Sequence, residues 1–280
     1  MTTTTRIICI CVVASSLPFF SRPILAHVGV HERIEALTAQ IEHSPGSAEL
    51  YLKRGELHRL HEDWESALAD FNRALQIDPD FDSVYLARGR MNFEARRLET
   101  ALVDLSRFLA REPNHLEGLV TRARVLVLFE EPLLAARDYD RAIEQMVQPT
   151  PEYFLERANV LAMAGESYLD EAIVGLDEAI EVLGPLVTLE QPAIELEIRR
   201  HRYPEALSRL DQIERWTARE RWFQQRGEIL HEAGRIEEAR QAFSRAMAHI
   251  ESLPPHRRRS ESVRELEEKL RVAQRLAEVR

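Results

Sequence analysis

Along this chain a small residue is followed four positions later by a large apolar one, and three positions after that by another small or apolar one. Ala67, Phe71 and Ala74 set the pattern. It returns at Ala101, Leu105 and Phe108, at Ala135, Tyr139 and Ala142, and at Ala172, Leu176 and Ala179. Two further copies are Ala206, Leu210 and Ile213, then Ala239, Phe243 and Ala246. The leading alanines lie 34, 34, 37, 34 and 33 residues apart. Spacing of four and three puts each trio on one helical face. The alanine admits a neighbouring helix closely, and the larger residue one turn on fills the adjoining groove.

A second helical pattern precedes most of these trios. Its columns read Tyr51, Gly55, His58, then Tyr85, Gly89, Asn92, then Leu119, Ala123, Leu126. Phe154, Ala158, Leu161 and Phe223, Gly227, Leu230 continue them. Pro79 and Pro113 close the first two pairs, since proline stops a helix. Gly165 and Gly234 fall in turns between paired helices, where positive φ is useful. The pattern predicts helical hairpins, each unable to bury both faces alone, so that neighbours must stack.

These residues resemble the tetratricopeptide repeat, a helix–turn–helix of about 34 residues with small residues at fixed columns. The resemblance runs from Ser47 to Leu253. It implies an all-α, right-handed α-solenoid of about six stacked hairpins, with units near 48–81, 82–115, 116–150, 151–186, 187–219 and 220–253. The fifth unit departs furthest: Glu190 and Glu197 fall at packing columns, and Ile194 replaces the small residue. Residues 27–46, with a helix over His31–Glu42, would cover one end. Residues 255–280 would cover the other, through Val263, Leu266, Leu270, Ala273 and Leu276 at helical spacing.

The first 26 residues differ from the rest. Met1–Arg6 carries one cation and no acid, Ile7–Phe20 is almost wholly apolar, and Ser21–Ala26 ends in a small residue. This is the layout of a secretory signal, with cleavage expected after Ala26. The apolar run is shorter than the roughly 20 residues that span a bilayer, so no stable membrane insertion is expected afterwards. Cys9 and Cys11, the two cysteines, both lie in that leader. Losing Arg6 and Arg22 with it leaves 35 basic residues against 47 acidic ones, a charge of −12. So acidic a chain repels phosphate backbones, which excludes nucleic acid as the expected partner. The basic run His256–Arg259 is followed by Glu261, Glu265, Glu267 and Glu268, and reads as a solvated helix entry.

His58 and His61 stand amid acids, but the hairpin recurs elsewhere without histidine, so packing is the expected role. Asp70, Asp104 and Asp138 each follow Arg54, Arg88 and Arg122 by sixteen residues. Facing helices would join them as register-fixing ion pairs. Alternatively the arginine column, which continues at Arg157 and Arg226, presents an anion-binding row.

The resemblance implies a partner-binding inner face made by the first helix of each unit. The matching positions are Leu52, Leu86, Val120 and Leu155 in one column. Glu56, Arg90, Arg124 and Asn159 form a second, and Phe93 and Val127 belong to a third. The basic residues of a clamp for a peptide's terminal carboxylate are not arranged that way. The expectation is a non-catalytic scaffold binding a peptide or partner protein by apolar contact, oriented by Arg90 and Arg124. Phosphate-cradling glycine loops, a nucleophile elbow and a His-Glu-x-x-His pair do not occur, and no cofactor is implied. The second expectation is an exported Cu²⁺ or Zn²⁺ accessory protein. Cleavage after Ala26 would place a free amine on His27, with His31 nearby.

Overall fold

The computed structural model describes residues 24–278. Most of the expected leader lies outside these residues, as do the side chains of His27 and Leu276. Among the described residues there are fifteen α-helices, two short 3-10 turns and no strand. No helix among them is long and apolar enough to cross a membrane. The chain divides into two compact units, at Val84 and Tyr85.

The first unit holds α1 (Ile24–His43), α2 (Ala48–Leu60) and α3 (Trp64–Ile77). Asp63 opens α3, its carboxylate accepting the Ser66 N–H at 3.2 Å. Ala67, Phe71 and Ala74 of α3 are completely buried. Phe71 lies so close to α2 that a Cβ on Gly55 would stand 2.7 Å from the ring. The glycine is therefore a packing requirement. Arg54 of α2 donates from Nε and Nη2 to Asp70 of α3 at 2.8 and 2.6 Å. Its Nη1 reaches the Thr38 hydroxyl of α1 at 3.0 Å, so one guanidinium joins the expected covering helix to the first hairpin.

The division falls within α4 (Asp82–Glu94), which pairs with α5 (Leu98–Arg111). The second unit continues with α6 (Leu116–Leu128), α7 (Pro132–Glu144), α8 (Pro151–Ala164) and α9 (Leu169–Leu183). Then come α10 (Val187–Arg199), α11 (Tyr203–Gln212), α12 (Arg219–Glu232) and α13 (Ile236–Ser252). The short α14 (Pro255–Arg258) leads to α15 (Glu261–Glu278). The register of the first hairpin recurs here. A Cβ on Gly89 would stand 2.8 Å from Leu105, and one on Gly227 would strike the Phe243 ring. All six leading alanines of the sequence pattern are completely buried. At the C-terminal end Val263, Leu266 and Leu270 of α15 join Ile229, Phe243 and Ile250 in one buried cluster. Ala273, also of the expected apolar stripe, is partly buried against the same cluster.

The hairpin turns share a geometry that the sequence conceals. Glu62, Arg96, Glu130, His201 and Gly234 all have φ between 57° and 73°. After each, the next N–H bonds back to the carbonyl five residues earlier: Asp63 to His58, Arg97 to Asn92, Glu131 to Leu126, Arg202 to Glu197 and Arg235 to Leu230. This is the left-handed helix stop usually given to glycine. Four of the five positions carry a side chain instead.

Candidate interaction site

The ion-pair column holds in three hairpins. Arg88 donates to Asp104 at 2.8 and 2.6 Å, and Arg122 to Asp138 at 2.7 Å through both nitrogens. The three aspartates are buried, so these arginines are consumed in fixing helix register and do not form a free anion-binding row. His58 and Asn92 occupy one column and both approach the same acid. The His58 ring lies 3.9 Å from Asp70, and Asn92 donates to Asp104 at 3.3 Å. The packing role expected for His58 is thus also a polar one.

Further along, the residue sixteen on is apolar and the pairing changes. Arg157 turns to Asp140 and to Glu171, and Arg226 to Asp211 at 2.8 Å. In the fifth hairpin the polarity reverses. Glu190 and Glu197, each only 3% exposed, come from the first helix, and Arg209 from the second. Arg209 lies 3.4 Å from Glu190, 3.2 Å from Glu197 and 2.7 Å from Asp177 of α9. Burial pushes the Glu190 carboxyl above its ordinary value, against the pull of Arg209.

An open pocket of about 730 Å³ lies in the second unit between α4, α6 and the start of α8. Of the groove residues expected from the sequence, Arg90, Phe93, Val120 and Arg124 line it. Leu86, Val127, Leu155 and Asn159 do not. Leu86 and Phe93 are half-buried against the cluster of Ala101, Leu105 and Val125. Val120 is only 3% exposed and forms floor, so a guest would not gain much by covering it. Leu52 and Glu56 belong to the first unit, where Glu56 accepts from Arg59 at 3.0 Å.

Both orienting arginines are already engaged. Arg90 lies 2.9 Å from Glu117. Arg124 donates to Glu156 at 2.6 and 3.0 Å and to Glu152 at 2.7 Å. The buried Tyr139 hydroxyl donates to the same Glu156. Burial, then the adjacent carboxylate, pushes that phenol well above its ordinary value. The Glu156 bond holds Arg124 firmly protonated. Three helices, α6, α7 and α8, are thereby tied at one edge of the pocket.

Sequence reasoning missed the rest of the lining, including Asn114, His115, Thr121, Gln145 and Tyr153. Several belong to connections between helices, whose path the column periodicity does not specify. His115 had one local signal, its place just before a helix. Its Nδ1 accepts the Gly118 N–H at 3.2 Å, and its ring meets Phe108 edge-on with centroids 5.0 Å apart.

Fold and register together define an all-helical protein of stacked hairpins. A family model described as tetratricopeptide repeat matches residues 48–81, the first hairpin. No curated relative matches the chain. The solved structure of YrrB, described as a TPR protein with an unusual peptide-binding site, is 24% identical, with a TM-score of 0.56 over 65% of this chain and 92% of that one. The C-terminal part of a TPR repeat-containing protein from Cytophaga hutchinsonii is 11% identical, with a TM-score of 0.65 over 86% and 95%. A tetratricopeptide repeat protein from Parabacteroides merdae is 19% identical, with a TM-score of 0.52 over 89% and 94%. The family match covers the first hairpin, and the solved structures share the fold of stacked helical hairpins.

Proposed function

We propose that this protein is a non-catalytic scaffold that holds a peptide or a segment of a partner protein, and that the second-unit pocket is where it does so. The pocket carries the reading: it is the place where four expected groove residues, from two successive first helices, line one open space. Phe93 offers an aromatic surface, while Glu117, Asn114 and Tyr153 supply hydrogen-bonding groups around it. Because Arg90 and Arg124 are held by carboxylates, a guest meets paired charges, and shape and hydrogen bonding outweigh bare charge in selecting it. The peptide-binding description of YrrB fits this role. Export belongs to the same proposal, supported by the apolar run Ile7–Phe20 before the first hairpin.

The test is selection of random displayed peptides on the wild-type chain, followed by binding to Glu117→Lys/Tyr153→Ala. Selected peptides should lose at least about tenfold in affinity on the variant while its melting temperature holds. If no selected peptide is sensitive to the pocket substitutions, the assignment fails. Intact mass of the secreted chain, beginning at His27, checks export.

A further inference from the structure

The sequence sets His31 near the chain start and His61 thirty residues on, and nothing in the periodicity joins them. The fold does. His31, on the exposed side of α1, and His61, at the end of α2, have ring centroids 4.8 Å apart at an interplanar angle of 42°. Both belong to the first unit.

That separation is one that two ligands of a single ion can have. With a metal–nitrogen bond of about 2.0–2.1 Å, an imidazole centroid stands roughly 3.2 Å from the ion. Two imidazoles on one tetrahedral or octahedral ion then have centroids about 4.5–5.2 Å apart. The observed centroid separation lies inside this interval. The His58 nitrogens lie 3.4 Å from Asp63 and 3.9 Å from Asp70, and His43 Nδ1 bonds the Ala39 carbonyl at 2.7 Å.

We propose that His31 and His61 form a two-histidine site for a borderline divalent cation, Zn²⁺ or Cu²⁺, that clips α1 to the turn between α2 and α3. Each histidine supplies one ring nitrogen. Two protein ligands leave the remaining coordination positions to water or other small ligands. His31 is exposed, which leaves the ion open to solvent and exchangeable. Imidazole suits Zn²⁺ and Cu²⁺ and not Mg²⁺, and ligation requires the neutral ring, so acid releases the metal. The bound ion would staple the covering helix to the first hairpin, adding to the Arg54–Thr38 bond and favouring the docked state.

The test is calorimetric titration of the tag-free full chain with Zn²⁺ at neutral pH, with Mg²⁺ as control. The wild type should show one saturable Zn²⁺ site. His31→Ala and His61→Gln should each weaken it at least about tenfold, because two-point attachment is lost. His43→Ala and His27→Ala should leave it unchanged. Should His61→Gln fail to fold, imidazole NMR of the wild type decides, since Zn²⁺ must shift the His31 and His61 ring signals together. The proposal is overturned by loss in His27→Ala with none in His61→Gln, which would assign the metal to the amino terminus. Equal loss in His43→Ala, or no saturable uptake below about 1 mM, overturns it as well.

Discussion

Replacing Arg122 with Met removes one side of a buried ion pair and leaves the other. Asp138 is only 5% exposed at its side chain, whereas Arg122 is 21% exposed. The two bonds of 2.7 Å satisfy both carboxylate oxygens. Stripping the partner from a buried charge costs about 3–5 kcal/mol. The Arg122 side chain is partly exposed, so solvent would partly replace it, and the expected loss is about 2–4 kcal/mol. Arg122→Met/Asp138→Leu removes both charges together and should return to within about 1 kcal/mol of wild type. Repeat arrays open locally, so amide hydrogen exchange in α6 and α7 is the sharper assay, with urea unfolding followed by far-UV circular dichroism beside it. A loss under about 1 kcal/mol in Arg122→Met would refute the register-fixing role, as would a double variant no better than the single one. Unchanged stability with lost peptide binding would restore the anion-binding row.

Two further outcomes are expected. Glu130→Gly should stabilise the chain by about 0.5–1 kcal/mol, because Glu130 sits at φ 58° in a turn that favours glycine; a fall in melting temperature would contradict this. The raised carboxyl of Glu190 gives a definite sign with pH. Its folded state holds the proton more tightly than the unfolded chain, so its contribution is complete below the unfolded value and disappears as pH rises through the folded one. The stability of the wild type relative to Glu190→Gln should therefore climb as pH falls across that interval, and parallel pH profiles would exclude the effect.

Much of the architecture was legible because small-to-large packing leaves a periodic trace. Ala101 and Leu105 could be paired on paper, and so could Arg88 with Asp104 sixteen residues on. Other features left no such trace. Glu190 and Glu197 looked like defects in a packing column until Arg209 from the next helix met them. Val120 looked like a contact residue until its burial could be seen. The left-handed turns at Glu62, Arg96, Glu130 and His201 lack the glycine that would have announced them.

The pocket shows the same division. Arg90 and Arg124 were found from their column, but Glu117, Glu152 and Glu156, which hold them, are scattered in sequence. The amino-acid order alone determined the helices, their pairing and the sixteen-residue register, because those depend on neighbours at short, regular separations. Only the tertiary structure decided which charges are spent on one another, which apolar residues remain uncovered, and that His31 meets His61. Those outcomes depend on distances across helices, and side-chain spacing along a chain carries no record of them.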